Sequence, residues 1–225
     1  MPNLPFTIDP CEKLKKTTDL TEFKNNIIYL EGKIGEDHEF GNRLGNPQPG
    51  TGQTGIQNEQ FEGQPDTKVV NIPTNQYTFA VMHTHYGDLY PLFSPQDMMF
   101  FNSWITGAIA YNNNPLNTTK ININRLNMTL VTNYGNYLLS FDGAIADPLP
   151  NYTPQQLKDL EDYYKIYLNN AKTNIGYDNN KMEREFLAFV NKYMNMQGLK
   201  LYKVEDTGNT EIYLENGNRK TKKCP

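Results

Sequence analysis

The stretch from Tyr77 to His85 limits the fold of this chain more than any other. Tyr77, Phe79, Val81, His83 and His85 fall on one face of an extended segment, and Thr78, Ala80, Met82 and Thr84 fall on the other. Both faces are largely apolar as far as His83, which predicts a central strand covered on both sides. After eight further residues, Ser94-Pro95-Gln96-Asp97 opens a helix. Ser94 suits the N-cap, Pro95 the first helical position and Asp97 the first turn. The helix is expected to reach about Tyr111, with Phe101, Trp104, Ile105 and Ala108 as its core face.

The remaining periodicities complete the outline. Leu14, Leu20, Phe23, Ile27 and Leu30 predict an amphipathic helix over 10–30, with Thr18 or Asp19 available to cap a second segment. Residues 32–66 are rich in Gly, Asn, Gln and Pro, and Gly45–Gly55 reads as a loop. Leu126–Thr132 and Tyr137–Phe141 are expected strands around the turn Asn133-Tyr134-Gly135-Asn136. Thr153 caps a helix expected to reach about Lys172, whose spacing of Leu157, Leu160, Tyr164 and Leu168 favours packing over recognition. Another helix spans about Asn180–Met196 and stops at Gly198. Residues 199–204 and 210–214 form a closing hairpin. This order of elements indicates an α+β or α/β fold.

Composition excludes several functions. The 225 residues are 37% hydrophobic and 12% aromatic, enough for a buried core. The formal net charge of −4, with both signs spread along the chain, gives no nucleic-acid footprint. The one basic cluster, Arg219, Lys220, Lys222 and Lys223, reads as a solvated tail. No apolar run approaches the roughly 20 residues of a membrane span, and no signal-peptide core is present. The expectation is a cytoplasmic chain, or one exported as part of a larger protein. Cys11 and Cys224 are either a disulfide joining the two ends or two unrelated thiols.

Chemistry concentrates at His83-Thr84-His85 and Ser94-Pro95-Gln96-Asp97. Residues two apart on a strand project to the same side, so both histidines can approach one ion. Asp97 returns over the strand end if the connecting loop folds compactly, although it equally suits a capping box with Ser94. Two imidazoles and a carboxylate leave a fourth tetrahedral position open, the pattern of catalytic rather than structural zinc. The expectation is one zinc ion per chain on His83, His85 and Asp97.

His-x-His followed by Ser-x-x-Asp, with the histidines ending a strand and the serine opening the next helix, resembles the JAB/MPN+ (JAMM) zinc metalloproteases. The similarity covers 36–142 and is nearest to JAB-like domains at the C-termini of larger bacterial secreted, toxin-like or phage-tail-like proteins. Tyr86 stands where the family usually has Pro, and the loop to Ser94 is one residue longer. The resemblance implies a JAB/MPN-like (cytidine deaminase-like) mixed sheet flanked by helices. A helical segment over 1–35 precedes that core, and 143–225 adds helices and a hairpin packed on it. It implies a metallopeptidase or isopeptidase acting on a protein or peptide. Zinc would lower the pKa of water toward ~7 for attack on a carbonyl. Ser94 would donate to the developing oxyanion, or act only as the helix cap. An upstream Glu would carry the proton to the leaving amine. Among Glu31, Glu36, Glu39, Glu59 and Glu62, Glu39 is the choice, because Gly41 follows it closely; Glu36 is second. Tyr86, Asp88 and Tyr90 either shape a substrate groove or pack the loop. His38 is expected to be exposed or to support the site indirectly. The alternatives are an inactive binding module of the same fold and a cargo toxin domain of a larger secreted protein. A zinc deaminase would need a Pro-Cys-x-x-Cys element that is absent.

Overall fold

In the computed structural model, residues 9–64, 66–87, 89–142, 152–196 and 198–224 are described. Two helices, Pro10–Thr18 (α1) and Thr21–Glu31 (α2), come first. They replace the single helix expected over 10–30, because Leu20 takes an extended backbone (φ −61°, ψ 138°) between them. An antiparallel pair follows, Phe40–Gly45 (β1) and Gln57–Glu62 (β2). Then come Thr78–Thr84 (β3), the helix Pro95–Asn113 (α3), and the hairpin Asn127–Thr132 (β4) and Gly135–Phe141 (β5). The C-terminal part holds Pro154–Asn169 (α4), the short pair Lys172–Thr173 (β6) and Gly176–Tyr177 (β7), and Asn179–Phe189 (α5) continued by a π-helical turn over Val190–Met194. It closes with Leu199–Glu205 (β8), Gly208–Glu215 (β9) and Asn218–Lys223 (β10).

Eight strands form one mixed sheet in the order β10-β9-β8-β5-β4-β3-β1-β2. Only β3 and β4 run parallel, joined by the crossover helix α3. All seven residues of β3 are buried, as its doubly apolar pattern predicts. Helices cover both faces. Trp104 and Ile105 of α3, Leu160 and Leu168 of α4, and Phe186 and Phe189 of α5 pack on one face against Val81, Met128 and Leu139. Leu14 of α1 with Phe23 and Leu30 of α2 pack on the other against Ala80, Met82 and Leu138. The architecture is therefore α+β, a large mixed sheet between helical layers.

One feature departs from the sequence reading, and one open alternative is decided. The basic cluster is not a tail but the outermost strand, β10, paired along its length with β9. Exposed lysines on an edge strand discourage pairing with other chains, and Arg219 turns inward to the buried Glu183. Cys11 and Cys224 form a disulfide, with Cα atoms 5.2 Å apart across 213 residues of chain. Among the described residues, no helix is long and apolar enough to cross a membrane.

Candidate metal centre

The parallel pair β3–β4 and the start of α3 place the site. Ligands of layered α/β sheets gather outside the carboxyl ends of parallel strands, where His83 and His85 stand. Ser94 caps α3 with a complete capping box: its hydroxyl accepts from the Asp97 amide at 3.1 Å, and the Asp97 carboxylate accepts from the Ser94 amide at 2.7 Å. The box does not remove Asp97 from the two histidines. It holds the carboxylate over the strand end, despite the longer loop.

Both imidazoles converge on that carboxylate. Nε2 of His83 lies 3.2 Å from Oδ1 of Asp97, and Nε2 of His85 lies 3.3 Å from Oδ2. One ligand atom from each of the three residues lies within 4.8 Å of the others, so the group can hold a metal ion. Nδ1 of His85 is 2.6 Å from the Tyr90 carbonyl. A carbonyl only accepts, so Nδ1 carries a proton; Nε2, which contacts Asp97 Oδ2 at 3.3 Å, is the nitrogen a cation would take over on displacing its proton. Nε2 of His83 is buried and, although close to Asp97, makes no hydrogen bond. The contact with Asp97 is an ion pair outside hydrogen-bond geometry, and a cation at the centre of the group would give this buried nitrogen a directed bond.

The electrostatics agree. For Asp97, burial is the largest single influence and works against the carboxylate, but His83 and His85 together outweigh it and hold the carboxyl well below its usual range. For His83, burial again leads and opposes the charged ring; the contact with Asp97, with help from Glu39, outweighs it and raises the imidazole. The carboxylate and the imidazoles thus favour positive charge at the centre of the cluster.

Glu39 joins this site through strand register. Gly41 of β1 faces His83 of β3, and Glu39, two residues before Gly41, lies on the same side of the sheet and lines the same cavity as His83 and His85. Gly41 suits this close approach: a Cβ there would fall 2.5 Å from Ile72 Cδ1 and 3.0 Å from the Met82 carbonyl, so the Ile72 side chain would have to shift. Glu39 is buried, and its Oε2 accepts from the Val70 amide at 2.9 Å. It lines a cavity of about 790 Å³ with His83, His85, Ser94 and Asp97. The other candidate glutamates point elsewhere. Glu36 is exposed and pairs with Lys33, Glu31 accepts from Asn136, Glu59 pairs with Arg43, and Glu62 meets His38.

Ser94 lines the same cavity, and its hydroxyl donates to Asp97 Oδ2 at 2.7 Å. Tyr86 is half-buried, with Lys68 Nζ 5.7 Å from its ring centroid. Asp88 lies outside the described residues. Tyr90 both fixes His85 and lines the cavity; burial, with Glu161 and Asp162 nearby, pushes its phenol up to about 12, so it stays protonated at neutral pH. The sequence reading missed the wall built by α4. Glu161 and Lys165 line the cavity, and Gln96 of α3 donates to Glu161. Glu161, Lys165 and Leu168 are spaced as one helix face, a signal visible in the sequence but carrying no metal-ligand pattern; the helix ends at Asn169, short of the expected Lys172, which opens β6.

Comparison with protein-family models, with curated proteins and with solved structures finds no match to this chain.

Proposed function

We propose that the chain is a zinc-dependent hydrolase of peptide or isopeptide bonds, of the JAB/MPN+ (JAMM) kind, in which His83, His85 and Asp97 hold the metal. The reading rests on one observation above all: two buried imidazole Nε2 atoms converge on the two oxygens of one carboxylate beside a large cavity. Two nitrogen donors and one oxygen suit zinc rather than calcium or magnesium, which favour all-oxygen sites. The mixed sheet with helices on both faces is compatible with a JAB/MPN-like core. Zinc in such a site supplies Lewis-acid activation of water.

The chain's own residues supply the rest. Glu39 is anchored through Oε2 to the Val70 amide, and its carboxylate takes the proton of the attacking water and returns it to the leaving amine. Ser94 orients Asp97 through its hydroxyl; a substrate carbonyl gaining negative charge competes for that same proton. The substrate is a protein or peptide segment, and the chain itself acts alone or within a larger polypeptide.

The test is Glu39→Gln, assayed on quenched peptide mixtures and ubiquitin-like conjugates with zinc content measured alongside. The expected result is retained zinc with hydrolysis lowered by roughly 10²–10⁴-fold. Undiminished hydrolysis in this variant would refute the assignment of Glu39.

A further inference from the structure

His38 stands one residue before Glu39 and outside the metal cluster. Its Nδ1 lies 2.8 Å from Asp37 Oδ1, and its Nε2 lies 2.9 Å from Glu62 Oε1. Carboxylates only accept hydrogen bonds, so meeting both contacts takes a proton on each ring nitrogen. Asp37 belongs to the chain entering β1, whereas Glu62 ends β2. The ring therefore ties the hairpin together at the end where Glu39 sits.

Glu39 is held by the same neighbourhood. Its amide donates to the Lys68 carbonyl at 2.9 Å, and its carbonyl accepts from the Gly63 amide at 2.8 Å. Its side chain accepts from the Val70 amide at 2.9 Å. Gly63 directly follows Glu62, and Lys68 Nζ lies 3.7 Å from Asp37 Oδ2. Both segments that grip Glu39 are thus tethered to carboxylates that His38 joins.

We propose that His38 is a positioning residue for Glu39: its doubly protonated ring clasps Asp37 to Glu62 and keeps the Glu39 carboxylate on the Val70 amide beside the metal cluster. This inference rests on the reading of Glu39 as proton carrier and adds a control to it. The charged groups around the ring are Asp37 and Glu62 in direct contact, Lys68 beyond Asp37, and Lys33, which lies 4.5 Å from the ring centroid of Phe40, itself packed on His38. Hydrogen bonding to Asp37, and then to Glu62, raises the imidazole above its ordinary 6.5. The clasp is closed below that raised value and opens as pH climbs through it. On losing a proton the ring keeps one carboxylate and turns a lone pair toward the other.

Amide hydrogen exchange at Val70, followed by NMR of the full chain between roughly pH 5 and 9, tests the clasp. The imidazole shifts of His38 are read in the same samples. In the wild type, Val70 protection, corrected for base catalysis, is expected to fall by about 5-fold or more across the His38 titration. His38→Gln should remove that step and leave Val70 weakly protected throughout. Glu62→Gln keeps the ring and should move the step to lower pH, which preserves the test if the first variant folds poorly. Equal Val70 protection in wild type and both variants, or protection without a step, overturns the clasp. Hydrolysis separates this from the proposed function. A His38→Gln chain with lower kcat, unchanged KM and no basic-limb step supports the clasp. A Val70 step in a wild-type chain that hydrolyses nothing also supports the clasp and contradicts only the hydrolase reading.

Discussion

The two oxygens of Asp97 face different partners. Oδ1 meets His83, while Oδ2 meets His85 and both the amide and the hydroxyl of Ser94. Removing the Ser94 hydroxyl therefore acts on helix and site together. Ser94→Ala should lower stability by about 1 kcal/mol through the lost cap and weaken metal affinity by roughly 10–100-fold through the lost orientation of a ligand. Urea unfolding of the metal-free protein and chelator competition measure the two effects; unchanged metal affinity would show that the backbone amide of residue 94 is enough to hold the carboxylate. The same residues set a pH window for metal-free protein. Asp97 titrates below its ordinary 3.8 in the fold, so its contribution is present above that value and fades as pH falls through the depressed one. His83 titrates above its ordinary 6.5, so its contribution is complete below that value and fades as pH rises through the raised one. Unfolding free energy of the metal-free chain should plateau between about 4 and 6.5, and His83→Gln should flatten both edges. Metal affinity should instead rise with pH, because the ion needs neutral imidazole.

Among the elements, β3 and the start of α3 were legible because burial and capping write themselves into local pattern: two apolar faces in β3, Ser-Pro-x-Asp at the helix start. The hairpin of β4 and β5 was legible through its turn, and α4 through Thr153 and Pro154. The strands β1 and β2 were not. β1 carries two glycines, and β2 reads Gln-Asn-Glu-Gln-Phe-Glu on an exposed edge, so neither shows alternation. β10 is hidden for a similar reason, since an edge strand of lysines looks like a solvated run. The cost was greatest at Glu39. Its place beside the histidines depends on pairing between residues forty positions apart, which no local pattern encodes, and the family resemblance alone singled it out. Gly41 is the residue that makes this pairing close. Gly41→Ala should destabilise the chain by about 1–3 kcal/mol as Ile72 is displaced, measured by urea unfolding; a neutral substitution would show that the β1–β3 contact has slack.

At the scale of the whole molecule, the Cys11–Cys224 bridge closes the chain on itself across 213 residues. It joins α1 to the end of β10, and its Cys11 packs on the sheet face opposite Val81 and the α3–α5 layer. Replacing both cysteines by alanine should lower stability by about 2–5 kcal/mol while leaving the metal content unchanged, as calorimetry and metal analysis of one preparation would show. A metal content that fell with the bridge would mean that the two sheet faces are coupled. The proposed chemistry begins with the ion. Metal analysis of the purified chain beside His83→Ala tests that most directly. The expected result is about one zinc per wild-type chain and none in the variant. Zinc absent from both proteins, or retained in full by the variant, would contradict it.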